Sequence, residues 1–434
     1  MSGHRRLLVT NAVLDGEPVS LTALDGVITA IGPDAGSGAA PAGGPDSETL
    51  DAGGGTLAPS LINGHTHAAM TLFRGHGDDL PLMRWLKEAI WPVEAKLEPD
   101  DVYWGTRLAC LEMIRSGTTG FWDMYWQPAS TARAVEDAGL RTAIGPPLFD
   151  APDLTFEERN RQLEGWLDEL AAFGDRITAV VAPHAIYTVG TASLEYAVGL
   201  AADRDLPIHI HLSETEGEVI DCVEAHGMRP AAYLDSLGLL TPKTTLAHGV
   251  WLDREELELI ADRGATVTTN PVANMKLAVG GVFPYPEAAR AGVPMALGTD
   301  GAGSNNSLDL LADLKVFALA QRHDAVDAEA IPIGEAWAIA TGQRSELIAG
   351  LGRPSLPASD PLTVGAPADF IVLDPATPEL GLGNLTSSLV YSATGSAVKD
   401  TVVDGHILMR NREVEDHEEI LARARERATR LGLS

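Results

Sequence analysis

Short runs of branched and apolar residues recur through the middle of the chain, each followed by a longer stretch with apolar positions at helical spacing. The runs are TLAPSLI (56–62), TTGFWDM (118–124), RTAIGPP (141–147), ITAVVAPH (177–184), PIHIHLSE (207–214), TTLAHG (244–249), ATVTTNP (265–271) and VPMALGTD (293–300). Segments such as PDDVYWGTRLACLEMIRSG lie between them, with apolar residues returning every three or four positions. A strand that is apolar throughout is covered on both faces, as in a parallel sheet wrapped by helices. Eight such strand–helix alternations predict an α/β fold, a (β/α)8 TIM barrel over residues 58–357. The competing arrangement is an open doubly wound sheet. Its glycine-rich phosphate loop follows a strand, whereas DAGGGTLAP precedes one.

The two flanks carry a different pattern. RLLVTNAVL and VSLTALDGVITAIG near one end, and ADFIVLD and VKDTVVDGHILMRNREV near the other, are short strand-like runs separated by turn residues. They predict a small β-sandwich domain assembled from residues 1–57 and 358–434. PDAGSGAAPAGGPDSE reads as a flexible loop within it. The closing DHEEILARARERATRLGLS reads as an amphipathic helix, most simply docked on that domain.

Charge narrows the partners. The chain has 61 acidic and 31 basic residues, for a net charge of −30, and only six of the basic residues are lysine. Such a field repels nucleic acid and anionic membranes. No run approaches the ~18 apolar residues of a spanning helix, and MSGHRRLLVTNAVLDG lacks a signal-peptide core. Two cysteines, Cys110 and Cys222, stand far apart. A reduced, cytoplasmic setting is the expectation. Self-repulsion at this charge is relieved when salt shortens the Debye length to ~3 Å at 1 M, so a halophilic cytoplasm is expected too. The partner expected is a small molecule, with a homo-oligomer left open.

The chemistry concentrates at strand ends. In LINGHTHAAM, His65 and His67 are two residues apart and share a face, so both imidazoles can converge on one cation. Six of the twelve histidines lie on the strand runs or just past their ends, as do Asp123, Asn270 and Asp300. His209 and His211 also share a face, and His211 is nearer the mouth of a barrel. His65, His67, His211 and Asp300 therefore form the candidate ligand set for one divalent metal. The fourth run offers His184 and no lysine to bridge a second ion. Glu214 follows His211 by three residues, where a carboxylate can reach metal-activated water; a helix-capping acid is the alternative. Cys222 and His226, spaced i and i+4, read as a buried thiol beside a helix-end histidine. AVGGVF lacks the lysine of a phosphate loop.

The run LINGHTHAAMTLFRGHGDDLPLMRWLKEAIWPVEAKL, with PHAIYT, HIHLSET, LAHGVWL, NPVANMKLA and LGTDGAGSNNSLDL, resembles the amidohydrolase superfamily. Within it the chain is similar to the 5′-methylthioadenosine/S-adenosylhomocysteine deaminases, over nearly its whole length. The resemblance implies zinc, with iron or manganese as alternatives, on His65, His67, His211 and Asp300. It implies that Glu214 shuttles protons, with His248 and Asp300 as its catalytic companions. It further implies that Glu94 grips the ribose hydroxyls, that His184 contacts the nucleoside, that Trp85 walls the purine, and that Arg159 contacts the substrate tail. The expected reaction is hydrolytic deamination of a purine nucleoside. The rival reading is a related enzyme for guanine, cytosine or s-triazine compounds. Departures from the pattern include Thr269 before Asn270-Pro271, Ser60 at a position usually glycine, and ATGQRSELIAG after the last strand.

Overall fold

The computed structural model describes residues 4–35, 47–150, 153–351 and 361–433. Most of the predicted loop of residues 33–48 and the expected boundary at residue 358 lie outside the described residues.

Parallel ladders join Leu61–Thr66, Thr118–Met124, Arg141–Gly145 and Ile177–Ala179 in that order. Ile208–Leu212, Thr244–His248, Thr266–Thr269 and Met295–Leu297 form a second parallel set. The fourth strand, interrupted after Ala179, joins the two sets through single bridges from Val181 to Ile208 and from Ala185 to His211. On the opposite side the last strand meets the first through the Asp300 amide and the His65 carbonyl, 3.0 Å apart. The Asn63 side chain adds a bond from the Thr299 amide, also 3.0 Å. These eight strands form the (β/α)8 barrel, and nearly every residue on them is buried. A Cβ on Gly298 would collide with the His65 backbone, so glycine permits the close approach that completes the ring.

The helices carry their own boundary signals. Pro99–Ser116 starts with a reciprocal Glu98–Asp101 capping box and ends at Gly117, whose φ of 85° is left-handed. It lies between the first and second barrel strands and sheathes the barrel with Val102, Ala109, Cys110, Met113 and Ile114 buried.

The terminal segments meet in one hydrogen-bonded sheet. Its order is His406–Met409, Val398–Val403, Phe370–Leu373, Thr56–Pro59, Arg6–Leu14, Glu17–Leu24 and Val27–Gly32, with Ser47–Asp51 also paired to Arg6–Leu14. Three of its hairpins turn on Asp-Gly pairs: Asp15-Gly16, Asp25-Gly26 and Asp404-Gly405. All six residues have positive φ, the two-residue turn that matches the twist of paired strands. Leu7, Val9, Leu21, Ile28, Leu57, Phe370 and Val402 fill its core. Arg141 of the third barrel strand reaches across to Asp369 (2.8 Å) and Asp404 (3.1 Å), pinning sheet to barrel.

Two sequence expectations need correction. TLAPSLI is not one strand: Thr56–Pro59 pairs in the terminal sheet, and the barrel strand begins at Leu61. Pro59 has no amide hydrogen to continue the ladder, which separates the two. The closing helix, His417–Leu431, packs on the barrel helix Pro99–Ser116 rather than on the terminal sheet. Ile420, Ala424 and Leu431 are its buried positions, and Arg430 pairs with the buried Asp101. An amphipathic stripe declares that a face will be covered, not by what.

Candidate metal centre and substrate cleft

The side chains of His65 and His67 leave the first strand on one face, as their spacing requires. His211 arrives from the end of the fifth strand, and the three imidazoles offer ligand atoms within 4.8 Å of one another. Asp300, just past the last strand, places Oδ1 3.2 Å from His67 Nε2 and 3.4 Å from His65 Nε2. The four predicted ligands thus converge.

Each ring is fixed from behind. His67 Nδ1 donates to the Met124 carbonyl at 2.6 Å, and His211 Nδ1 donates to the His184 carbonyl at 2.7 Å. His65 Nδ1 lies 2.8 Å from His209 Nε2. In every case Nε2 is left for the centre, the arrangement by which outer partners set the tautomer of metal-binding histidines. His65 Nε2 is buried and without a hydrogen-bond partner, an orphan that a cation would satisfy. Asp300 Oδ1 accepts from the Gly301 amide at 2.8 Å and Oδ2 from Ser304 Oγ at 2.7 Å.

The electrostatics favour a cation. Burial drives His65 down to about 4 and holds His211 well below the usual imidazole range, so both are neutral donors of lone pairs. Burial opposes charge on His67, yet Asp300 outweighs it and lifts the pKa to about 9. Burial likewise opposes charge on Asp300, but His65 and His67 pull it well below the carboxylate range. These donors suit one divalent ion, and nitrogen-rich ligation suits zinc.

Glu214 is buried beside this group, its Oε1 3.8 Å from His248 Nδ1. Burial raises its pKa. Glu218 accepts the backbone amides of Ser213 (2.8 Å) and Glu214 (2.9 Å), holding the turn that aims Glu214 inward. His248 bonds through Nδ1 to Asn274 Oδ1 at 2.7 Å. Ser213, His248 and Asp300 all have positive φ (50°, 77° and 62°). Left-handed backbone at non-glycine residues is strained, and these three cases fall at strand exits that carry the site.

The centre forms the floor of a cleft. Trp85, Glu94 and His184 line it together with His67, His211, Glu214, His248 and Asp300. Trp85 is buried and donates through Nε1 to the His76 carbonyl at 3.3 Å. His184 stacks on Phe149 with ring centres 4.2 Å apart, its Nδ1 bonded to Thr188 Oγ1 at 2.9 Å. Burial raises the Glu94 carboxyl, against the opposing pull of the Tyr125 hydroxyl. Arg159 is not brought to this cleft. Its guanidinium sits on Asp150 (3.0 Å) and the Leu154 carbonyl (2.8 Å), farther out.

The sequence reading missed His209, Ser304, Asn274, Tyr125 and Glu218. His209 had a signal, the i, i+2 partnership with His211, read only for its outer member. Asp123, a strand-end candidate, accepts from the Ala68 amide at 2.7 Å and so shapes the turn after His67. Cys222 is a buried free thiol, and His226 stacks on Tyr233 with ring centres 3.9 Å apart, so neither joins a metal group.

Residues 56–408 match the model of the amidohydrolase family. A curated relative from Methanoregula boonei, named 5′-deoxyadenosine deaminase, is 46% identical over 390 residues, spanning 89% of this chain and 87% of its own. A relative from Haloquadratum walsbyi, named 5-methylthioadenosine/S-adenosylhomocysteine deaminase, is 43% identical over 371 residues, 85% of this chain and 82% of its own. Among solved structures, an adenosine deaminase from Xanthomonas campestris with bound zinc superposes with a TM-score of 0.88 at 33% identity, covering 99% of both chains.

Proposed function

The chain belongs to the amidohydrolase family, and from that premise we infer a metal-dependent deaminase that converts adenosine-type nucleosides to inosine-type products and ammonia. The observation that carries the reading is the convergence of three imidazoles and Asp300 beside a buried glutamate at the floor of the cleft. The similarity to deaminases over most of the chain supports the substrate class.

His65, His67, His211 and Asp300 would hold one divalent ion, zinc being our choice and iron or manganese its alternatives. When bound, such an ion supplies Lewis-acid activation of water. The residues of the chain do the rest. Glu214 takes a proton from the attacking water and delivers it to N1 of the adenine ring, which makes C6 electrophilic. Its raised pKa suits a group that must both accept and release a proton. The water oxygen bonds to C6 while His248, braced by Asn274, and Asp300, braced by Ser304, hold it in line. The proton of the C6 hydroxyl then passes to the amine, the C6–N bond breaks, ammonia departs, and a carbonyl remains at C6. Glu94 would grip the ribose hydroxyls, with Trp85 and His184 walling the nucleoside, so that C6 lies over the water.

We assign this work to a catalytic unit of residues 58–357 with a small domain from 1–57 and 358–434, operating in a salt-rich cytoplasm. No helix of the described residues is long and apolar enough to cross a membrane. The test is ammonia release from a panel of 5′-substituted adenosines at molar KCl, before and after chelator dialysis and after zinc restoration. Activity should vanish with the chelator and return with zinc. Zinc-restored protein inert towards every adenosine would refute the reading.

A further inference from the structure

One of the chain's six lysines, Lys276, lies in the NPVANMKLA run, at a position the deamination chemistry leaves unused. It ends the short helix Pro271–Lys276, two residues after the Asn274 that braces His248. Its ammonium meets three oxygens from two other segments: Asp78 Oδ1 at 2.8 Å, Asn306 Oδ1 at 2.5 Å and the Gly303 carbonyl at 3.1 Å. An ammonium has three N–H donors, so each finds an acceptor. Both of those segments press on Trp85. A Cβ on Gly77, next to Asp78, would lie 3.0 Å from Trp85 Cδ1 and 2.6 Å from Ala89 Cβ. A Cβ on Gly303 would lie 3.2 Å from Trp85 Cζ2 and 2.9 Å from Met70 Cε. Glycine at both places lets backbone close on the two rings of the indole, whose Nε1 is held by the His76 carbonyl.

Trp85 lines the cleft, and Lys276 stands outside that lining. Resting on the deaminase reading, in which Trp85 walls the purine, we propose that Lys276 is the positioning residue for that wall. Its three bonds draw the turn at 76–78 and the loop at 303–306 together on the indole. The same loop carries Ser304, which braces Asp300, and the same helix carries Asn274. One ammonium therefore sets the purine wall in register with the supports of His248 and Asp300, and so sets C6 over the water. Salt screens the bond to the half-exposed Asp78. The Gly303 and Asn306 oxygens are neutral, so their bonds survive molar KCl. An arginine would spread its donors in one plane and cannot reproduce the three-way fit.

A double-mutant cycle tests this, with kcat and KM for 5′-deoxyadenosine, zinc content and thermal midpoint measured on each protein. Trp85→Ala should raise KM about 10- to 100-fold, the scale of a lost contact between a base and an aromatic ring. Lys276→Met keeps the apolar stem without the donors and should raise KM at least ~5-fold with zinc retained. Added to Trp85→Ala it should change KM less than ~2-fold, because no indole is left to hold. Lys276→Arg should behave as Lys276→Met does. Asp78→Asn weakens one bond of the three and should raise KM about 2- to 5-fold, again only where Trp85 is present; it replaces Lys276→Met in the cycle if that protein does not fold. A folded, zinc-loaded Lys276→Met protein with the parental KM overturns the proposal. So does an equal rise in KM with and without Trp85, or full function in Lys276→Arg. A parent protein inert towards both 5′-deoxyadenosine and adenosine strikes instead at the deaminase reading beneath it.

Discussion

His209 gives the sharpest test of how the metal centre is built. Its Nε2 lies 2.8 Å from His65 Nδ1, and both residues are fully buried. If His65 turns the lone pair of Nε2 to the cation, its Nδ1 must carry the hydrogen and donate it to His209. His209 must then keep its own hydrogen on Nδ1, which has no partner and lies in a ring packed edge-on against Trp122. His209→Ala removes the acceptor and leaves the His65 N–H unpaired beside a void. Loss of such an outer partner weakens metal affinity by about 10- to 100-fold. At 1.4 kcal/mol per tenfold, that is roughly 1.4–2.8 kcal/mol. The measurement is zinc competition against a chromophoric chelator, on protein shown to be folded by circular dichroism. His209→Gln, whose side-chain oxygen can accept the same hydrogen, should recover part of the loss. A folded His209→Ala protein that binds zinc as tightly as its parent would show that the bond does not orient His65.

Glu214→Gln should keep nucleoside and zinc binding while kcat falls by at least ~10²–10⁴-fold, and near-normal turnover would remove Glu214 from proton transfer. Asp369→Ala removes the nearer, buried carboxylate from Arg141 and should cost about 1.5–3 kcal/mol in denaturant unfolding; a change under ~1 kcal/mol would mean that Asp404 alone suffices. The net charge of −30 predicts a thermal midpoint that climbs as KCl rises from dilute to molar, whereas a flat or falling midpoint would contradict the salt-adapted reading.

Periodicity made much of this legible. Strand alternation puts residues i and i+2 on one face, so His65 with His67, and the mouthward placement of His211, followed from spacing alone. Apolar runs alternating with helical stretches were enough for the barrel. What escaped lies where spacing is silent. Ser304, Asn274 and Tyr125 sit outside the strands, and their roles depend on where loops return in space. His209 escaped because a shared face says nothing about which ring stands in front. The break at Pro59-Ser60 was hidden in one apolar run, because a strand of either sheet uses the same residues. The closing helix was recognisable as amphipathic, but Arg430 and Asp101 are 329 residues apart and only the fold brings them together.

Ser60 alone separates Pro59, the last residue of a terminal-sheet strand, from Leu61, the first residue of the strand that delivers His65 and His67. A single residue leaves no slack for a hinge, and Ser60 is itself tethered through Oγ to Thr119 Oγ1 at 2.6 Å. The terminal sheet is thereby yoked to the imidazoles, so disorder introduced at its far strands should be felt as lost zinc and not only as lost stability.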